Sequence, residues 1–201
     1  MPRTKEQFAE MRDASNQKIR SAAIRLFAEK GFAATSIDEI AEAAELSTGM
    51  VYRHYKSKEA LFSSLIERAG KGNRDMVLRM ESNDNPREIF DSIAADIYAH
   101  MMDGEDFANL MLLITQGLLS KSLPDWNALI DSDIQTMKAG EKLIRRGQKM
   151  GVFCEGNPRE MIISFFAYIQ GLFMMKIGLG EYFQMPDADS MTAFLYRGLQ
   201  K

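Results

Sequence analysis

Residues 35–61 read TSIDEIAEAAELSTGMVYRHYKSKEAL, and the architecture of the chain is predicted outward from them. Ser36 is followed three residues later by a glutamate, which is the capping-box pattern at a helix start. The apolar residues after it recur three and four positions apart and predict a short amphipathic helix. Ser47 has the side chain of an N-cap, so a second short helix is predicted from about Thr48 to His54. A tight turn between two such helices is typical of a helix-turn-helix, which places its second helix in a DNA major groove.

The same helical spacing continues on both sides of this segment, and no stretch alternates with the period of a β-strand. Upstream, an apolar stripe ends at Gly31, which is predicted to be a left-handed helix cap. Downstream, Ser57 caps a fourth helix, and a last helix follows Pro186. Two further helix starts share the sequence Asn-Pro-Arg-Glu, at residues 85–88 and 157–160.

These signals predict an all-α fold of about nine helices. An N-terminal three-helix unit with the helix-turn-helix is expected over residues 1–57, and a helical ligand-binding and dimerisation domain over residues 58–201. The junction between the two lies within a helix, near residues 57–65. We therefore expect the two parts to move together.

The chemistry of the second short helix suits contact with DNA. Gly49 has no side chain, so the backbone there can approach a duplex closely. Ser47 and Thr48 lie at the helix N-terminus, where free N–H groups and the helix dipole favour a phosphate. Tyr52 lies one turn on from Thr48, on the same face, and can bond a phosphate or stack against a sugar. These four residues are candidate DNA contacts.

Sequence recognition needs side chains that reach base edges, because phosphate contacts only position a protein. Thr48, Met50 and Arg53 are the candidates, since they can project outward from the second helix. Arg53 either bonds a guanine edge or contacts a phosphate, and the sequence favours neither. Thr35 and Ser36 begin the preceding helix and are candidates for phosphates of the opposite strand.

The segment resembles the N-terminal motif of the tetracycline-repressor (TetR) family over roughly residues 18–65. The matching positions are Ile40, Ala41, Ala44, Ser47, Thr48, Gly49, Tyr52, His54, Tyr55 and the run from Lys58 to Leu61. The resemblance implies DNA contacts from Thr35, Ser47, Thr48, Gly49, Tyr52, His54 and Lys58. It also implies a dimer built from the last two helices of each chain.

Glu45 departs from the family pattern, which often has glycine at this turn position. A left-handed backbone would be slightly strained there, and we expect its carboxylate to point away from phosphate. An alternative interpretation of the motif is a structural helical hairpin that never contacts DNA. Tyr52 would then be a packed aromatic residue and Lys58 a solvated helix start.

The first residues carry a short basic arm, Arg3, Lys5 and Arg12, ahead of the predicted first helix. Such an arm can enter a minor groove, but nearby acidic residues offset its charge and we favour a disordered tail. Residues 1–60 carry ten lysines and arginines against nine acids, and the remainder fifteen against nineteen. Any DNA contact is therefore expected from the N-terminal part.

The segment from Met161 to Ile177 is apolar nearly all round, which predicts a helix with two covered sides. It barely reaches the length of a membrane span, so we interpret it as a helix packed on protein and predict no membrane contact. One side would face its own domain, and the other would join the last helix in a four-helix bundle between two subunits. The candidate interface residues are Phe166, Phe173, Met174, Ile177, Met191, Phe194, Leu195 and Gly198.

The chain has 15 methionines, many of them in the second domain. Methionine side chains are flexible and polarizable, so a cavity lined by them can adapt to apolar ligands. The candidate lining residues are Met80, Ile97, Met101, Phe107, Met111, Trp126, Met137, Phe165, Tyr168 and Gln170. For any single one of them, ordinary core packing is the better interpretation. A body that binds another protein instead of a small ligand is equally compatible with the sequence.

The remaining composition argues against catalysis. The chain has two histidines and one cysteine, with no metal-ligand spacing, phosphate-binding loop or nucleophile motif. Acids beside His100 surround Gly104 and are interpreted as a solvated turn between helices. The single Cys154 and the absence of a secretory signal fit a reducing cytoplasm. We expect no enzyme activity, no cofactor and no metal.

Overall fold

The computed structural model describes residues 4–120 and 126–196, which form nine α-helices and no β-strand. This agrees with the all-α prediction. Two short 3₁₀ turns follow α8 and α9, at Gly180–Tyr182 and Ala193–Leu195. The helices are α1 (Lys5–Lys30), α2 (Ile37–Ala43), α3 (Thr48–His54), α4 (Lys58–Glu81), α5 (Pro86–Met102), α6 (Asp106–Ser120), α7 (Trp126–Lys149), α8 (Pro158–Leu179) and α9 (Ala188–Thr192).

The capping residues that the sequence singled out begin the predicted helices. Ser36 accepts a hydrogen bond from the Glu39 backbone N–H while the Glu39 carboxylate accepts one from the Ser36 backbone, a complete capping box. Ser47 and Ser57 each accept one bond from the backbone three residues on, at the starts of α3 and α4. Both Asn-Pro pairs cap α5 and α8 in the same way, each asparagine accepting from the backbone two residues on.

The basic arm does not precede the first helix, and that prediction was wrong. α1 begins at Lys5, because Thr4 and Gln7 form a capping box that was not predicted. Lys5 and Arg12 therefore belong to a helix of 26 residues, whereas Arg3 lies outside the described residues.

Two clusters of buried apolar side chains organise the chain. The first joins α1, α2, α3 and the start of α4, and it also takes in Leu110 and Leu113 of α6 and Leu129 of α7. The second lies within the body, between α5, α7, α8 and the segment after α8. α4 contributes to both, with Leu61 to Ile66 in the first and Met80 in the second. The helix-turn-helix thus shares a core with the body, while a domain boundary at residues 57 and 58 stays a prediction.

The last helix is shorter than predicted and turns inward. α9 has only five residues and passes into the 3₁₀ turn Ala193–Leu195. Met191 and Leu195 are fully buried in the second cluster of their own chain, and Gly198 lies outside the described residues. A backbone bond from Cys154 N–H to the Leu195 carbonyl, 2.8 Å long, ties this segment down.

α8 has one side in the core and one side uncovered. Ile162, Phe165 and Ile169 pack into the second cluster, whereas Ile163 and Met175 on the other side are about half exposed. By length and composition the helix is apolar enough to cross a membrane, and 28% of its most apolar window is buried within the chain. Residues 4–120 and 126–196 do not supply the second covered side that the sequence predicted.

Candidate nucleic-acid interface

α3 is anchored by one side chain and presents most of the rest outward. Val51 is fully buried in the first cluster, and it is the only buried residue of the helix. Tyr52 is 53% exposed, and Gly49 and Arg53 are exposed beside it. One inward contact in a seven-residue helix leaves a face that can lie in a groove.

The turn between α2 and α3 has the left-handed backbone that the sequence predicted. Glu45 has a φ of 57°, which is costly for any residue with a Cβ atom. Its carboxylate lies 3.4 Å from the ammonium of Lys18 on α1. The side chain is therefore directed to α1, and the turn joins α2 to α3 despite the lack of glycine.

The other end of α3 is held against α1 in cationic surroundings. The Tyr55 hydroxyl donates to the Asn16 side-chain oxygen at 2.5 Å, joining the C-cap of α3 to α1. Burial lowers the pKa of His54, and the charges of Arg12, Arg53 and Arg20 lower it further. His54 is therefore held close to arginines of both α1 and α3, in a setting that attracts anions.

Lys58 does not have the role that the resemblance implied for it. Its ammonium donates to the carbonyls of Phe32 at 2.8 Å and Thr35 at 2.7 Å, with Ala33 at 3.5 Å. It also lies 4.5 Å from the centre of the Phe32 ring. Since an ammonium has three donors, Lys58 is occupied in holding the α1–α2 connection, and its prediction as a phosphate contact is corrected.

Thr35 is likewise internal and not at the surface. It is 1% exposed, and its hydroxyl donates to the carbonyls of Gly31 at 2.9 Å and Leu26 at 3.3 Å. The hydroxyl caps the end of α1, so its side chain cannot reach a phosphate. Ser36 remains exposed beside it, although its hydroxyl is shared with the capping box.

A groove opens beside α3 between the N-termini of α2 and α4. Ser36, Tyr52, Lys56 and Ser57 line it. Lys56 is exposed and was not among the predicted contacts. Its position directly before the N-cap of α4 was the available signal, since helix N-termini and a lysine together favour phosphate.

The Ser36 capping box is reinforced by a charge pair. Lys30 of α1 donates to the Glu39 carboxylate at 2.8 Å. This bond, with those from Ser36, lowers the pKa of Glu39 to about 2. Glu39 therefore stays ionised at any pH at which the protein would meet DNA, and the start of α2 is stable there.

The predicted ligand-lining residues mostly lie together, but as packed core. Met80, Ile97, Met101 and Phe165 are buried in the second cluster, and Phe107, Met111 and Met137 pack against it. Tyr168 is instead 39% exposed on the outer side of α8, which corrects its assignment to a lining. Gln170 donates to the Thr115 hydroxyl at 2.8 Å, and the side chain of Trp126 is outside the description.

The predicted dimer residues divide between the core and the surface. Phe173, Met191 and Leu195 are buried in their own chain, so they are removed from the candidate interface. Phe166 and Ile177 are partly buried, and Met174 and Phe194 are 56% and 40% exposed. Further exposed apolar residues of α8, missed by the sequence analysis, are Ile163, Tyr168, Met175 and Leu179.

The acids around Gly104 are exposed, as expected of a solvated turn, and one of them contacts another helix. Asp106 accepts a hydrogen bond from Ser21 of α1, and Lys176 of α8 donates to the carbonyls of Met101 and Gly104. His100 lies with its Nδ1 2.7 Å from the Asp96 carbonyl of its own helix. Within residues 4–120 and 126–196, no group of three His, Cys, Asp or Glu is placed to hold a metal ion.

An exposed α3 on a three-helix support, joined to a larger helical body, defines a helix-turn-helix protein. Residues 19–65 match the family model described as bacterial regulatory proteins, tetR family. The helix-turn-helix segment of this chain is therefore similar to that of the family.

Two relatives named as HTH-type transcriptional regulators match longer parts of the chain. The uncharacterized HTH-type transcriptional regulator YerO of Bacillus subtilis (strain 168) is 34% identical over 109 residues, which are 53% of this chain and 37% of YerO. The match thus spans little more than a third of that relative. YvkB of the same strain, also an uncharacterized HTH-type transcriptional regulator, is 25% identical over 92% of this chain and 97% of its own length.

The fold has solved counterparts along most of the chain. The structure of AibR in complex with isovaleryl coenzyme A and operator DNA covers 90% of this chain and 98% of its own, with a TM-score of 0.64. The identity is 18%, so this likeness shows the fold alone.

Proposed function

We propose that this protein is a sequence-specific DNA-binding transcription regulator, acting as a repressor in the cytoplasm. It would bind a palindromic operator as a homodimer and leave it when an apolar small molecule binds the body. The observation that carries the proposal is the outward face of α3, where Gly49, Tyr52 and Arg53 are exposed while Val51 anchors the helix.

The uncovered side of α8 supports the dimer. Exposed apolar residues gathered on one helix of a folded chain mark a surface for a partner. Met174, Met175 and Leu179 are each about half exposed near the end of this helix. A twofold dimer through this face would present two copies of α3, and a palindrome needs them about 34–36 Å apart.

Two connections support communication between the body and α3. α4 is continuous from the first cluster to the second, and Ser21 of α1 is hydrogen-bonded to Asp106 of α6. A ligand that enters the methionine-rich second cluster must displace packed side chains, and it can shift the dimer only by its differential affinity for two states. The likeness to AibR, solved with operator DNA and isovaleryl coenzyme A, is consistent with this mode of action.

The direct test is an unbiased selection of bound DNA fragments with the purified protein, repeated with a broad set of small molecules. We expect enrichment of a palindrome and its release by at least one apolar compound. Release by none would remove the effector from the proposal, and activation of a reporter gene by the bound protein would overturn repression.

Tyr52→Ala tests the docking face. Tyr52 is exposed and would position the protein on the DNA backbone, so its loss should weaken binding to all DNA sequences. The dimer and the thermal unfolding transition should stay unchanged. An affinity equal to that of the original protein would contradict the assignment of this face.

A DNA-binding regulator whose body binds another protein is the second candidate. It is favoured by the packing of the second cluster, where Met80, Met101 and Phe165 are each at most 2% exposed, together with the open side of α8. Sedimentation of the purified chain tests how that side is used, because a stable homodimer would cover it and a monomer would leave it for a different partner.

A further inference from the structure

The hydroxyl of Thr48 has one proton, and the structure shows where it is used. Thr48 Oγ1 donates to Asp38 Oδ1 at 2.7 Å, which links the first residue of α3 to the first turn of α2. A carboxylate accepts hydrogen bonds and has none to donate, so the direction of this bond is set. Asp38 is exposed and lines the same groove as Tyr52 and Lys56.

This bond restricts what Thr48 can offer to DNA. A phosphate oxygen only accepts, and the proton of Thr48 is already committed, so Thr48 cannot donate to the backbone. What remains is the lone pairs of Oγ1 and the methyl group. In the major groove, the donors that match an acceptor are the amino groups of adenine and cytosine.

We propose that Asp38 is a positioning residue that makes Thr48 an acceptor for the amino group of adenine or cytosine. One position in each half-site would then prefer these bases. The inference rests on the proposed function, since it presumes that α3 lies in a major groove. It departs from the assignment of Thr48 to phosphate.

Asp38 also brings a negative charge to this surface. Such a charge opposes binding to phosphates whatever the sequence, and therefore weakens non-specific binding. Removing it should raise the affinity for random DNA while reducing the preference for the operator. A rise in the affinity for random DNA together with a fall in the preference for the operator separates the proposal from a purely structural role. Loss of a purely structural residue would lower both the affinity for random DNA and the preference for the operator.

The experiment is a selection of bound DNA fragments with the full-length protein, its Asp38→Ala and Thr48→Val variants, and the double variant. We expect the original protein to enrich adenine or cytosine at one position per half-site. Each single variant should lose about two- to tenfold of discrimination there, the range of one neutral hydrogen bond, and keep its preferences elsewhere. The double variant should lose no more than either single variant.

Two matched variants serve as controls. Glu42 lies one turn after Asp38 on the same side of α2 and is exposed, so Glu42→Gln removes an equal charge without releasing Thr48. It should leave the base preferences unchanged. Thr48→Ser keeps the hydroxyl and should retain the preference for amino-bearing bases.

Unchanged base preferences in Asp38→Ala, with a normal unfolding transition, would overturn the proposal. Loss of the base preference at the same position in Glu42→Gln would also overturn it, because the removal of charge alone would then explain the effect. If the original protein enriched no sequence at all, the proposed function itself would fail.

Discussion

At residue scale, two lysines two positions apart have different surroundings. The ammonium of Lys58 bonds carbonyls of the α1–α2 connection, whereas Lys56 is exposed in the groove beside Tyr52. Both precede or begin α4, and a pattern of residue types gives no reason to treat them differently. Their substitutions should nonetheless act on separate properties.

Lys58→Met should lower the free energy of unfolding by about 1–3 kcal/mol, because partly buried carbonyls would lose their donor. Urea denaturation followed by circular dichroism measures this. The DNA sequence selected by the folded fraction should be unchanged. A variant as stable as the original protein would show that water replaces the ammonium without cost.

Lys56→Met is the matched change at the neighbouring position. We expect the unfolding free energy to stay within about 0.5 kcal/mol, while the affinity for DNA falls for all sequences. The plot of log affinity against log salt should become shallower by about one per half-site, since one phosphate contact is lost. An unaltered salt dependence would exclude Lys56 from the interface.

His54 should link DNA binding to pH. Burial and neighbouring arginines lower its pKa in the free protein, and DNA phosphates would raise it in the complex. The complex therefore takes up a proton, and affinity should rise as pH falls from about 8 through the ordinary histidine value of about 6.5. Titration of labelled operator at several pH values measures this rise, which His54→Gln should abolish.

The lowered pKa of His54 makes the pH dependence of folding stability opposite to that of DNA affinity. The unfolded chain takes up the His54 proton at a higher pH than the folded chain does, so stability falls as pH drops below about 6.5. If affinity and stability instead fell together over that window in the original protein, the His54 contact with phosphate would be disproved.

At the scale of elements, the α2–α3 turn carries a strained residue. Glu45 has a left-handed backbone that glycine adopts without penalty. Glu45→Gly should therefore be more stable than Glu45→Ala by about 1 kcal/mol. Both variants lose the exposed contact with Lys18, so the comparison isolates the backbone.

Thermal or urea unfolding of the two variants gives that difference directly. Equal stabilities would mean that the turn relaxes to another conformation once the carboxylate is removed. Since α3 is positioned by this turn, the glycine variant is also expected to keep the base preferences of the original protein.

At the scale of the whole molecule, we expect the open side of α8 to determine the assembly. Met174 is 56% exposed on this helix. In a twofold interface, Met174→Glu would therefore place one buried charge from each subunit. We expect the variant to sediment as a monomer at concentrations where the original protein is a dimer. Its affinity for a palindromic operator should fall, because two linked helices bind more tightly than one.

Leu78→Glu is the matched control for this change. Leu78 is 69% exposed on α4, so the same kind of substitution is made on a different surface of the chain. It should leave the sedimentation coefficient unchanged. Dissociation by Leu78→Glu, with Met174→Glu still dimeric, would move the interface from α8 to α4.

The fold was largely predictable from the sequence because its signals are local. A serine or asparagine cap bonds a backbone N–H two or three residues away, as Ser36, Ser47 and Asn157 do, and the side chain and its partner are read together. The spacing of apolar residues likewise reports helices within one segment. The helix-turn-helix and the boundaries of α3 followed from these signals alone.

Roles that depend on distant partners were settled only by tertiary structure. Lys58 meets carbonyls 23 and 26 residues away, and Leu195 packs into a core that includes residues of α5 and α7. Periodicity shows that a side chain is apolar or charged, but not which neighbour will cover it or accept its proton. The sequence by itself therefore determined most of the helices and the element predicted to contact DNA, and the packing of those helices decided which side chains remain exposed.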